Sequence, residues 1–200
     1  QNGVTLIDGS NIKKYGADDG LPAANIVKVV SLKNIIYAAT SSKGIYVLKN
    51  DSFGKSTIVK GSDLHTMARV GDQLFVSTNL ENILFDGSDV SFMDKGFPNA
   101  KVRDVFTGNG KSWYATENKI IQKNKNSYVS KSVTFPSTKT KIQALLVIGD
   151  IEYYGTNQGL WSRAGDGDPK LIKNINVLSL DQLQTGDILV GSKKGLYYLS

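Results

Sequence analysis

Two hundred residues suffice for one substantial domain, and the 40% hydrophobic content, with no apolar run of membrane-spanning length, is ordinary for a soluble chain. The absence of cysteine excludes disulfides and thiolate metal sites, and a single histidine leaves no ligand cluster for zinc. The net charge of +6 opens the question of anionic partners without answering it.

In chain order, Gly3 to Ile7 reads as a short strand, Asp8-Gly9-Ser10-Asn11 as a turn, and Ile12 to Tyr15 as a second strand. A four-part unit then begins. Ile26 to Leu32 is a brief apolar strand (a), closed by Lys33-Asn34; strand b carries Tyr37-Ala38-Ala39-Thr40; strand c is Gly44 to Leu48; and a more polar strand d is expected over Ser56 to Val59. A tight turn between two short apolar runs is a hairpin signal. The unit recurs. Strand a returns at Leu64 to Val70, Val102 to Thr107, Ile142 to Ile148 and Val177 to Leu183. Strand b returns as Phe75-Val76-Ser77-Thr78, Trp113-Tyr114-Ala115-Thr116, Tyr153-Tyr154-Gly155-Thr156 and Leu189-Val190-Gly191-Ser192.

The final hydroxyls of these segments lie 38, 38, 40 and 36 residues apart, the mark of a repeat protein. Within each segment the bulky residue and the small residue two positions on share a strand face. Large-then-small suits sheets that pack face to face while converging on an axis, so Tyr37, Phe75, Trp113 and Tyr153 are expected in the core. Four short strands per roughly 40 residues, with no helix apparent, describe the blade of a β-propeller.

The residues Asp18-Asp19-Gly20-Leu21-Pro22, Tyr37-Ala38-Ala39-Thr40 and Gly44-Ile45-Tyr46 resemble the two-component regulator propeller repeat. Gly96-Phe97-Pro98, Gly159-Leu160-Trp161 and Gly195-Leu196-Tyr197 repeat parts of the same pattern. The resemblance spans nearly the whole chain. Counting the recurring units gives a five-bladed all-β propeller over residues 1–200, with blades at about 23–60, 61–99, 100–138, 139–175 and 176–200. Residues 9–16 would complete the last blade as its fourth strand. A strand c at both ends leaves open that the chain is a piece of a longer array. The resemblance implies the periplasmic or cell-surface sensor part of a bacterial two-component protein, and the lone histidine, with no nucleophile motif, makes it non-catalytic by expectation. Such a part receives a small-molecule or oligosaccharide ligand, or a protein partner, within a larger membrane sensor. A protein-contact scaffold or secretion-associated surface protein remains the alternative.

Charge is uneven. Nine Lys/Arg between Lys101 and Lys141 face only Asp104 and Glu117, so one blade carries +7 and the rest is near neutral. An anionic partner or a solvated edge that resists strand pairing both fit that pattern. Nucleic acid is not expected, because basic and aromatic residues do not interleave. No cofactor or metal is expected either, since the Asp-Gly turns lack calcium-loop spacing. Binding residues are expected on the b–c turns: Ser42, Lys43, Asn79, Glu81, Glu117, Asn157, Gln158 and Lys193. Three more are expected on strand a, with Lys28 and Asp104 facing a channel and His65 as the lone imidazole.

Overall fold

The computed structural model describes residues 3–59, 63–93, 96–108, 110–124 and 127–200. Residues 61–62, 94–95 and Asn109, which lie between expected strands, and Lys125 of the basic blade lie outside them. The chain is all-β, of the β-propeller class, in two compact units that divide after Lys101.

The first unit opens with a hairpin, β1 (Val4–Asp8) and β2 (Asn11–Tyr15), paired residue for residue. Its first blade follows as β3 (Ile26–Leu32), β4 (Ile35–Thr40), β5 (Gly44–Lys49) and β6 (Ser52–Lys55). The second is β7 (Leu64–Val70), β8 (Gln73–Thr78), β9 (Asn82–Phe85) and β10 (Val90–Phe92). In the second unit, β11 (Asp104–Gly108) to β14 (Ser127–Ser132) form one four-stranded blade. The next runs from β15 (Ile142–Ile148) through β16 (Ile151–Thr156) and β17 (Gly159–Ala164) to β18 (Lys170–Lys173). The last, β19 (Val177–Gln182), β20 (Ile188–Ser192) and β21 (Gly195–Leu199), is a sheet of three strands. Every pairing is antiparallel and sequential, the meander that the turn signals predict.

Two expectations shift. Strand d of the first blade lies at Ser52–Lys55, four residues before the expected Ser56–Val59. Asn50 and Asp51 both take positive φ (47° and 67°), so the hairpin closes in two residues and the strand begins at once. Residues 11–15, expected as fourth strand of the last blade, have their hydrogen-bonded partner in Val4–Asp8.

The repeated hydroxyl has a local cause. Thr40, Thr78, Thr116, Thr156 and Ser192 each donate to the carbonyl that opens strand c: Gly44, Glu81, Lys119, Gly159 and Gly195. Each also accepts from a backbone N–H of the turn, as Lys43 N–H does to Thr40 Oγ1 at 3.0 Å. One side chain thus satisfies the polar groups of a b–c turn, which a buried apolar residue would leave unmet.

Packing between blades explains the small residue. One cluster joins Tyr37, Ala39 and Ile45 of the first blade to Leu64, Met67 and Val76 of the second. Another joins Ala115 and Ile120 to Ile142, Leu145 and Tyr154, and a third joins Leu146 and Leu160 to Val177, Ile188 and Val190. A Cβ added at Gly155 would stand 2.5 Å from Val177 Cγ1, so glycine is what lets these two sheets touch. The bulky anchors divide: Tyr37 and Phe75 are fully buried, whereas Trp113 and Tyr153 are half-buried at cluster edges. In the second unit the large buried side chains of strand b are instead Tyr114, Tyr154 and Val190, of which Tyr154 and Val190 face the preceding blade.

Candidate functional site

The b–c turns lie beside the connections that lead into strand a, of their own blade in two cases and of the next blade in one, and backbone hydrogen bonds tie them. Asn79 N–H donates to Asp63 O at 3.0 Å, Ile142 N–H to Glu117 O at 2.9 Å, and Asn157 N–H to Lys141 O at 3.2 Å.

In the second unit side chains reinforce this lacing. Glu117, on the turn after β12 (Lys111–Ala115), takes two cations at once. Arg103 Nη2 donates to its Oε1 at 2.5 Å, and Lys141 Nζ donates to its Oε2 at 2.7 Å. These two bonds, Lys141 first, hold the carboxyl below its usual range. Lys141 N–H donates to Asn157 Oδ1 at 2.7 Å, and Asn157 Nδ2 donates to Lys139 O at 3.0 Å. Thr140 Oγ1 donates to Gln158 Oε1 at 2.7 Å. Three residues expected for binding, Glu117, Asn157 and Gln158, therefore share one polar platform with Arg103, Lys139, Thr140 and Lys141. Lys119 is exposed at the same end of its blade, where strand c starts.

The remaining expected residues fare differently. Ser42, Lys43, Asn79 and Lys193 are turn residues at or near the surface, and Glu81 is half-buried with its backbone N–H on Thr78 Oγ1. Lys28 and Asp104 do not point into a channel. Each pairs directly with the small strand-b residue, Ala39 and Ala115, and so lies on the face that meets the next blade. Asp104 is only 8% exposed, and its Oδ2 accepts the backbone N–H of Leu145 at 3.0 Å across that junction. His65 is half-buried at a register shift between Leu64 and Thr66, a β-bulge. The same shift falls at Val27, Gln143 and Leu178, so the histidine occupies a recurring structural position.

Arg103 holds the corresponding position in its own blade, one residue past the first apolar anchor. In the sequence it stands out only as a scarce arginine; its repeat position is the signal that aims it at the turn. The basic blade is also more neutralised than its composition suggests. Lys131 pairs with Asp166, and Lys123 lies 5.7 Å from the Tyr128 ring. A shallow groove of about 420 Å³ runs along β6, lined by Val47, Lys49, Phe53 and Lys55 among others, and holds none of the expected residues.

The pH dependence of the platform follows in sign. A carboxyl lowered by folding contributes stability that is complete above its ordinary value of 4.5 and is lost as pH falls through the folded value. The melting-midpoint difference between the wild-type chain and Glu117→Gln should therefore narrow steadily below about pH 4.5. A difference that stays constant into acid would show that the ion triad contributes nothing.

No family model matches the chain, and no curated protein matches it in sequence. Solved structures do. The extracellular domain of the hybrid two component system BT4673 from B. thetaiotaomicron matches with a TM-score of 0.76 at 20% identity. All of this chain is covered, but only 29% of that one. Streptogramin B lyase matches at 0.74 and 13% identity, over 100% of this chain and 72% of its own. PorZ, a bacterial surface component of the type-IX secretion system of Porphyromonas gingivalis, matches at 0.59 and 11%, over 99% and 34%. The chain thus spans about a third or less of the two surface proteins. It is a β-propeller of the fold found in the extracellular domains of hybrid two-component systems.

Proposed function

We propose that the chain is a non-catalytic, extracytoplasmic ligand-binding propeller of a two-component regulatory type protein, and that its ligand is an oligosaccharide. The observation that carries this reading is the platform of Arg103, Glu117, Lys141, Asn157 and Gln158. Neighbouring loops are tied there by side-chain and backbone bonds, so polar groups are presented in fixed positions at low entropic cost. Exposed Lys119 and Lys139 at the same end favour a ligand with negative charge, an acidic glycan. The fold shared with extracellular sensor domains supports the setting. No helix among the described residues is long and apolar enough to cross a membrane.

The test is thermal shift against neutral and acidic oligosaccharides. A ligand that binds only the folded state at a hundred times its Kd adds about 2.7 kcal/mol. An upward shift with one acidic class, abolished by Gln158→Ala and Lys139→Ala, is the expected result. If no sugar shifts the midpoint, the same cations point to an acidic protein surface, the scaffold reading. Retention of a protein partner by the wild-type chain but not by the lysine variant would then establish that alternative.

A further inference from the structure

Arg103 and Lys141 belong to different loops, immediately before β11 and β15, yet each donates to a separate oxygen of Glu117. The side chains of Arg103, Glu117 and Lys141 remain 35%, 35% and 55% exposed, so the bridge is open to solvent. Lys119 and Lys139 stand exposed at the same end, with no acidic partner among the described residues. Asp104, the other acid of the basic blade, is turned into the blade junction and holds Leu145 N–H. Four cations therefore gather here with one surface carboxylate among them, and that carboxylate is the chain's own.

The backbone does not depend on the bridge. Glu117 O accepts from Ile142 N–H at 2.9 Å, and Thr116 Oγ1 caps the same turn by accepting Lys119 N–H at 3.0 Å. Arg103 N–H donates to Ala115 O, and Lys141 N–H to Asn157 Oδ1, both at 2.7 Å. The Glu117 side chain is thus free to swing away while the loops that carry both cations stay held. Its departure breaks two half-exposed ion pairs, which contribute little in water, and an incoming carboxylate restores both. A planar group that gives one oxygen to a guanidinium and the other to an ammonium describes what would replace it.

We propose that Glu117 stands in for the ligand: Arg103 and Lys141 form a carboxylate site that Glu117 fills until a uronic-acid residue of the oligosaccharide displaces it. This rests on the oligosaccharide reading and narrows the ligand to carboxylated sugars. Glu117 then sets specificity by competition. A neutral sugar gains nothing by displacing it, and an anion must bridge both cations to do so.

Titration calorimetry with an oligogalacturonate, on the wild-type chain and Glu117→Gln, tests this. The variant keeps the turn and the side-chain shape and should bind several-fold more tightly, while a neutral oligosaccharide of equal length shows no gain. Asp150→Asn makes the same change in net charge at the a–b turn, the opposite end of its blade, and should bind as the wild type does. Equal or weaker binding by Glu117→Gln overturns the proposal, because Glu117 would then position the cations for the ligand. An equal gain in Asp150→Asn also overturns it, by reducing the effect to bulk charge. An oligoglutamate peptide separates this proposal from the reading beneath it. If no sugar binds either chain but the peptide binds Glu117→Gln more tightly, the carboxylate site stands and the oligosaccharide reading falls. If neither probe binds either chain, both fall.

Discussion

Replacing Glu152 with alanine is expected to lower the melting midpoint by about 6–20 °C, the largest effect of any single surface-reaching residue here. Glu152 is the counter-ion of Arg163, which is 4% exposed. Arg163 Nε donates to Glu152 Oε2 at 2.8 Å, and its Nη2 lies 2.6 Å from the same oxygen. Arg163 Nη1 reaches Ser132 O at 3.3 Å, and the guanidinium lies 5.4 Å from the Tyr154 ring centroid. Tyr154 donates its hydroxyl to Glu152 as well. Burial, with the Glu152 carboxylate second, pushes that hydroxyl far above its usual range, so it stays a donor. Removing the carboxylate leaves a buried cation uncompensated, a loss of about 3–5 kcal/mol. For a chain of this size each kcal/mol shifts the midpoint by about 2–4 °C. The double variant Glu152→Gln/Arg163→Met removes both charges and should recover most of the loss. Equal midpoints for the wild type and Glu152→Ala, by calorimetry, would mean that water reaches Arg163.

The second large effect is expected at Gly155. A Cβ there meets Val177 Cγ1 at 2.5 Å and Ala144 Cβ at 3.1 Å, both on strands whose positions other contacts fix. Overpacking of this kind costs about 1–3 kcal/mol, so Gly155→Ala should lower the midpoint by about 2–12 °C. Gly54 is the control. It lies on an edge strand outside the positive-φ region, and nothing lies within 4 Å of where an added methyl would stand, so Gly54→Ala should be neutral or slightly stabilising. If both alanine variants melt together, the blades can slide apart at no cost, and the small strand-b residue has another purpose.

These two sites mark what can be foreseen. The small position before each hydroxyl is legible, because its spacing repeats and a repeat implies a shared steric demand. The Glu152–Arg163 pair is not. Its residues occur in one blade alone, eleven apart in sequence, and only the strand pairing that sets Glu152 opposite Arg163 brings them together. The platform is half legible. Glu117, Asn157 and Gln158 stand out in the sequence as turn residues with polar groups to offer a partner. In the structure their side chains are engaged by Arg103, Lys141 and Thr140. Asp104 departs from expectation for a related reason. Alternation tells which face of its strand a residue takes, but not whether that face meets solvent or another sheet.

By itself the sequence determined the strand-by-strand unit, its recurrence five times, the tight turns and the propeller class. Those follow from local rules, namely alternation, turn-forming residues and a hydroxyl that caps its own turn within four positions. Only the tertiary structure decided which residues are spent on joining blades and which remain outside. Burial depends on what lies across a junction, as at Asp104, a carboxylate only 8% exposed because it accepts the backbone N–H of Leu145 on the next blade.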